Sequence, residues 1–271
     1  MLIPPVLIDV DDPDDPRLAP FRLNERGLTN RTQKRVDSGE GWFVAEGDLV
    51  VERALAAGCV PVMALADAAR PPAVAVRMAA DVPVFAGGEQ LRAHVTKLGV
   101  PNTIIALFER PARSTVESLA ASARRLVLVE AVDNPANVGA IVRNAAGLGW
   151  DGLVLDGTSA DPLARRSLRV SMGHAVSLPH ARTRDVPAAL STLAAHGFVV
   201  VALTPDAAAI DIRSVPPAER LVVCLGAERV GLSDHVLAAA TVRVRIPMHA
   251  GVDSLNVAAA TAIACHSLGP N

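Results

Sequence analysis

The sequence predicts an α/β protein of two units, the second built on a parallel sheet. Three observations carry that expectation. Short Val/Leu/Ile-rich runs alternate with longer amphipathic stretches from residue 43 onward, which is the strand–helix rhythm of α/β folds. Runs in the second half, such as LVLVEAV (126–132) and FVVVALT (198–204), are almost wholly apolar, as strands covered on both faces are. Between the halves, residues 109–124 are polar and Ala/Ser-rich, a composition suited to a linker. These features divide the chain into a smaller N-terminal α/β unit over 1–112, a linker over 113–125 and a larger unit over 126–271.

Element by element, FVAEGDLVVERALAAG (43–58) reads as a strand end and an amphipathic helix, and VPVMALA (60–66) as a strand. DVPVFAG (81–87) is strand-like, EQLRAHVTKLG (89–99) helical, and TIIALFERP (103–111) another strand. In the second unit LVLVEAV is a buried strand, and DNPANVG (133–139) turns into the helix AIVRNAAGLG (140–149). GLVLDG (152–157) is a strand, ADPLARRSLRVSMG (160–173) a loop and helix, and VPAALSTLAAHG (186–197) a helix. FVVVALT, LVVCLGAE (221–228) and VRVRIPM (242–248) supply further strands, and 255–268 the last helix.

Composition removes several classes. Hydrophobic residues make up 51% of the 271, yet no uncharged apolar run approaches the roughly 18 residues that span a bilayer. The first 15 residues carry acid where a secretory signal carries base, so a soluble, cytoplasmic protein is expected. Cys59, Cys224 and Cys265 are far apart in apolar surroundings, which predicts core thiols rather than disulfides or zinc ligands. The seven histidines show no paired ligand spacing, so no metal is expected. Net charge is −2, but residues 9–15 hold five aspartates while 17–35 hold six basic residues against Glu25 alone. The basic cluster, with Arg31, Lys34 and Arg35, marks a candidate RNA contact. Lys34 and Lys97 are the only lysines; arginine suits bidentate phosphate contacts, although a GC-rich genome yields the same bias.

GLGWDG (147–152) matches GxGxxG, but it follows a helix and precedes a strand, the reverse of a dinucleotide-binding turn. It reads as a helix end and turn. No Walker A loop, GxSxG elbow or spaced carboxylate pair occurs. Asn134 before Pro135 is a helix N-cap with Pro in the first turn. Arg143 lies in IVRNAAG, a helix otherwise small and apolar, and a charge packed against a sheet must be paired or must face a cavity. A structural salt bridge and a functional role both stand. Near the C-terminus, LGAERVGLSD (225–234) and the IPMHAGVDSLN stretch (246–256) are strand ends running into Gly and polar residues. Such ends let backbone approach a ligand closely.

DNPANVGAIVRNAAGLG, DPLARRSLRVSMGHAVSLP, LGAERVGLSD and IPMHAGVDSLNVAAATAIA resemble, in order and with similar spacing, the motifs of the SpoU/TrmH (SPOUT) family of RNA ribose 2′-O-methyltransferases. FVAEGDLVVERALAAG resembles the L30e-like RNA-binding domain such enzymes often carry. The resemblance implies a C-terminal parallel-sheet domain threaded into a deep trefoil knot, S-adenosylmethionine as cofactor, and a homodimer formed through the C-terminal domain. It implies cofactor contacts from Gly226, Ile246, Met248 and Leu255, with Leu203 and Thr204 lining the same pocket. It implies a catalytic role for Arg143 on the 2′-hydroxyl or adjacent phosphate, with Asn137 orienting the nucleotide. Glu228 would brace its loop or pair with Arg143. Ser254 and Asn256 are read equally as helix caps or as active-site groups. Arg165, Arg166 and Arg169 are read as phosphate contacts or a solvated helix face. The small-residue VAAATAIA helix suits a dimer interface or packing within one subunit. His174 and His249 depart from the family pattern and bear on RNA choice. The expected function is methyl transfer to a ribose 2′-hydroxyl of structured RNA, ribosomal RNA favoured over transfer RNA; the competing reading is an RNA-binding ribosome-assembly protein that keeps the fold without catalysis.

Overall fold

The structure is a computed structural model and describes residues 6–23, 25–28, 41–97 and 99–270. Arg31, Lys34 and Arg35 lie outside the described residues. In chain order the elements are β1 (Ile8–Asp9), a 3-10 helix (Pro16–Arg22), α1 (Glu25–Leu28), β2 (Trp42–Glu46), α2 (Asp48–Ala56), β3 (Pro61–Asp67), α3 (Ala73–Met78), β4 (Val84–Gly87), α4 (Glu89–Thr96) and β5 (Ile104–Glu109). Then come α5 (Val116–Ser122), β6 (Arg125–Val129), α6 (Pro135–Gly147), β7 (Gly152–Leu155), α7 (Arg165–Val170), β8 (His180–Arg182), α8 (Val186–Ala195) and β9 (Val199–Leu203). β10 (Ile210–Asp211), β11 (Leu221–Leu225), α9 (Asp234–Ala239), β12 (Val242–Arg245) and α10 (Val257–Ser267) complete the chain.

The chain forms two compact units, one of residues 1–112 with 163–177, the other of 113–162 with 178–271. In the first, a five-stranded sheet runs β1-β4-β3-β5-β2. β5 is antiparallel to both β3 and β2, while β1, β4 and β3 are parallel. Leu18, Phe21, Val44, Leu65, Phe85 and Leu107 fill one side of that sheet, and Phe43 stacks on Phe108 with ring centroids 5.4 Å apart.

The segment 163–177 was expected in the second unit but packs with the first. Its anchor is electrostatic. The Glu46 carboxylate, with a side chain only 3% exposed, accepts a bond from Arg165 Nε at 2.7 Å and pairs with its Nη2. A buried carboxylate needs such a partner. Gly173 suits the contact: its φ of +84° strains any other residue, and a Cβ there would press on Val50 Cα at 3.2 Å.

The second unit holds seven strands, all parallel, in the order β10-β12-β9-β11-β6-β7-β8. The parallel sheet expected from the Val/Leu runs is therefore present. Val116, Leu119, Leu190 and Leu193 of α5 and α8 cover one face through Leu126, Leu128, Val200 and Val222. Alternate strand residues, such as Val127 and Val223, are equally buried on the other, where α6 and α10 lie. The expected linker is a correction: 116–122 is a helix whose Thr115 and Ser118 exchange capping-box bonds of 3.0 Å. Its polar residues are caps and a solvent face, and Val116, Leu119 and Ala120 are core.

Cys59, Cys224 and Cys265 are buried free thiols, as expected. Burial pushes the Cys265 thiol up to about 12. Asn134 caps α6 through a 2.9 Å bond from Ala136 N–H, with Pro135 following. No helix among the described residues is long and apolar enough to cross a membrane.

Candidate active site

The strand order places two neighbours, β6 and β11, where the chain's direction of progress across the sheet reverses, and ligands of open parallel sheets bind beyond the carboxyl ends of strands at such a point. A cavity of about 730 Å³ lies beside this point, at the carboxyl ends of β9, β11 and β12, within the range of small-molecule sites. The loops that follow β9, β11 and β12 build it, together with the residues leading into α10. All six residues assigned to a cofactor from the sequence, Leu203, Thr204, Gly226, Ile246, Met248 and Leu255, line this one cavity.

Gly226 is required by close backbone approach. A Cβ there would sit 2.2 Å from the carbonyl carbon of Gly231 and 2.4 Å from the Leu232 nitrogen, so the loop after β11 doubles back on itself. Gly231 N–H donates to the Ala227 carbonyl at 2.8 Å and closes the turn; its φ of +73° favours glycine again. The result is an apolar slot (Leu203, Leu225, Ile246, Met248) edged with peptide groups at strand ends. That donor set fits an adenosyl cofactor, which needs an apolar bed for the base and amide or carbonyl partners for its edge. Among the described residues no group of His, Cys, Asp and Glu is arranged to hold a metal ion.

At the cavity's edge three of the predicted catalytic residues meet. Glu228 Oε1 accepts bonds of 2.7 Å from both Asn137 Nδ2 and Asn256 Nδ2, and Asn256 Nδ2 also donates to Asn137 Oδ1 at 3.2 Å. The triangle joins the start of α6, the loop after β11 and the entry to α10. Asn256 also caps α10, its Oδ1 accepting from Ala258 N–H at 2.9 Å, so one side chain both caps the helix and joins the triangle. Ser254 lines the cavity instead of capping.

One alternative falls away and one expectation needs correction. Glu228 is bonded to the two asparagines, and no bond or ion pair joins it to Arg143. Arg143 is not packed against the sheet. Val138, Ile141, Val142 and Ala145 form the buried stripe of α6, and Arg143 points off it, exposed. Among the described residues it has no hydrogen-bond or ion-pair partner, so its charge is not spent on a salt bridge. The helix is small and apolar because α10 packs on it: Asn144 Nδ2 donates to the Ala258 carbonyl at 2.8 Å and Trp150 Nε1 to the Cys265 carbonyl at 3.0 Å. The small residues of α10 thus pack within the chain through Thr261, Ala264 and Cys265, while Ile263 remains on the outside.

Arg165, Arg166 and Arg169 all lie on α7, in the first unit. Arg165 is committed to Glu46, and Arg169 Nη1 stands 3.7 Å from the same carboxylate. Arg166 is exposed. Residues that the sequence reading missed include Arg245 and Asp253 on the cavity wall and a polar cluster below the α6 turn. There Asp156 accepts from Ala131 N–H at 3.0 Å and from Ser159 N–H and Oγ at 2.9 and 2.5 Å. Burial works to raise the Asp156 pKa, but these bonds together win and hold it below the usual carboxylate value. A signal existed in DGTSA, an acid followed by two hydroxyl residues.

Known proteins resemble this chain along nearly its whole length. The model of the SpoU rRNA Methylase family matches residues 124–266. A tRNA/rRNA methyltransferase of Mycobacterium bovis is 38% identical over 275 residues, spanning 97% of this chain and 94% of its own. The 23S rRNA (guanosine(2553)-2′-O)-methyltransferase RlmP of Bacillus subtilis is 29% identical over 227 residues, 83% and 88% of the two chains. The crystal structure of an AdoMet-bound rRNA methyltransferase from Sinorhizobium meliloti matches with a TM-score of 0.82 at 26% identity, covering 97% of each chain. The chain belongs to the SpoU rRNA methylase family of RNA methyltransferases, as its motifs implied.

Proposed function

We propose that the protein transfers a methyl group from S-adenosylmethionine to a ribose 2′-hydroxyl of structured RNA, with ribosomal RNA as the preferred class. The observation that carries this reading is the Asn137–Glu228–Asn256 triangle at the edge of the backbone-lined cavity. A bound sulfonium supplies a methyl already activated for transfer. The protein's task is then to align the acceptor oxygen and exclude water. Leu203, Thr204, Gly226, Ile246, Met248 and Leu255 hold the cofactor. Arg143, exposed and unpaired among the described residues, is a permanent cation; it polarises the 2′-hydroxyl or grips the adjacent phosphate rather than taking a proton. Asn137, oriented by Glu228, positions the nucleotide, and Ser254 faces it from the cavity wall.

The same reading includes the deep trefoil knot around the closing loops, an L30e-like role in RNA binding for the first unit over 1–112, and a cytoplasmic homodimer formed through the second unit. The extra unit favours a large folded target, and the 2′-O activity named for the Bacillus subtilis relative favours ribose over base. Arg31, Lys34, Arg35 and Arg166 contribute phosphate contacts. Arg165 and Arg169 serve this surface indirectly, through the Glu46 anchor.

Calorimetry with S-adenosylmethionine, followed by transfer of labelled methyl to bulk RNA, tests the proposal. Binding with transfer supports it. Binding without transfer to any RNA points to an assembly protein that keeps the fold, and absence of binding overturns the methyltransferase reading for this chain.

A further inference from the structure

Loop 226–232 carries both Glu228 and much of the cavity wall, so whatever fixes that loop fixes the site. One residue outside it touches both of its ends. Glu130 follows β6, and its N–H donates to the carbonyl of Leu225, the last residue of β11, at 2.9 Å. Its carboxylate accepts the N–H of Ser233 on Oε2 and the hydroxyl of Ser233 on Oε1, each at 2.8 Å. Ser233 is the first residue after the loop and the N-cap of α9. Entry and exit of the seven-residue turn are therefore tied to a single residue, the entry by its backbone N–H and the exit by its side chain, 103 residues before Ser233.

From this geometry we infer that Glu130 is a positioning residue, a clamp that sets the shape of the cofactor loop and, through it, the place of Glu228. The carboxylate is suited to the task because it accepts at both oxygens and donates at neither; two bonds to an ionised acceptor are stronger than neutral ones. The contact is half-buried, so water competes poorly for it. Nearby, Cys224 carries the mark of the same charge: burial first, and the Glu130 carboxylate second, push its thiol well above the ordinary range. Alanine at this position would keep the backbone bond to Leu225 and remove both bonds to Ser233. The turn would then be held at one end only.

The inference rests on the cofactor assignment above, and two readouts on the full chain separate the two. The first is the dissociation constant of S-adenosylhomocysteine by calorimetry for wild type, Glu130→Ala, Ser233→Ala and the double variant. The second is amide hydrogen exchange across 226–233 without ligand. We expect Glu130→Ala to weaken binding at least about tenfold, since small misplacements at a site are costly. Because Glu130 acts through Ser233, the double variant should be no more than about twofold weaker than the worse single one. Exchange at Gly231 and Ser233 should rise while the amides of β6 and β11 stay protected, and the KM for RNA should not move. If Glu130→Ala fails to fold, Ser233→Ala carries the same test, because it leaves Glu130 and its bond to Leu225 in place. Binding within twofold of wild type, or unchanged exchange in the loop, overturns the clamp. Loosened exchange in a chain whose wild type does not bind S-adenosylhomocysteine keeps the clamp and overturns the cofactor reading.

Discussion

Replacing Glu228 separates its geometric role from its charge. Glu228 Oε1 receives two bonds of 2.7 Å from Asn137 and Asn256. Glu228 itself is exposed, so each bond is worth less than is usual for a charged acceptor, about 1 to 1.5 kcal/mol. Removing both in Glu228→Ala therefore costs roughly 2–3 kcal/mol of site organisation, which converts to about 30- to 150-fold in kcat/KM at roughly 1.4 kcal/mol per decade. Glu228→Gln keeps a carbonyl oxygen that accepts from both amides and should lose less than about tenfold. The assay is initial-rate methyl transfer to RNA at saturating cofactor, with thermal unfolding as control; the exposed position should leave Tm within about 2 °C. Equal, severe losses in both variants would refute the positioning argument and assign the charge itself a part in the chemistry. Full activity in Glu228→Ala would remove the triangle from the mechanism.

Further outcomes follow from the same geometry. Arg143→Ala should abolish transfer with almost no change in Tm, because an exposed unpaired side chain contributes within about 0.5 kcal/mol of stability; a fall of several degrees would show it to be structural. Asn256→Ser should keep the cap of α10 and its stability yet lose activity, whereas Asn256→Ala should also cost about 1 kcal/mol in chemical denaturation. Arg165→Ala takes the close partner from the buried Glu46 carboxylate, leaving Arg169 3.7 Å away, and should destabilise the first unit by about 2–3 kcal/mol, while Arg166→Ala should leave stability alone and flatten the salt dependence of RNA binding. His180 is buried, with Nδ1 on the Leu178 carbonyl and Nε2 unpartnered, and burial lowers its pKa below the usual histidine value. The unfolded chain therefore binds a proton that the folded chain resists, so stability should be flat above about pH 6.5 and fall below it by up to about 1.4 kcal/mol per pH unit. Denaturation of His180→Phe should not show that slope.

The sheet of the second unit was legible because strands buried on both faces need unbroken Val/Leu runs, and Val127, Val200 and Val223 are such residues. Loops of the site were legible because glycine marks the places where backbone meets backbone, as Gly226 does. Contacts between remote residues left no trace: nothing near Arg165 announces Glu46, and nothing near Glu130 announces Ser233. The polar stretch around Thr115 looked like a linker because a capping box uses the same Ser and Thr that loops use. Arg143 looked buried because its small neighbours pack against α10, and a helix has more than one packed face. The two-residue strands β1 and β10 are too short to form a pattern.

The central claim is that the methyl goes to a ribose oxygen. Alkaline hydrolysis of RNA labelled by the protein from S-adenosylmethionine tests it most directly, because a methylated 2′-oxygen cannot attack the neighbouring phosphate. The account predicts label in alkali-resistant dinucleotides, lost in Arg143→Ala. Label released in mononucleotides would place the methyl on a base and contradict it.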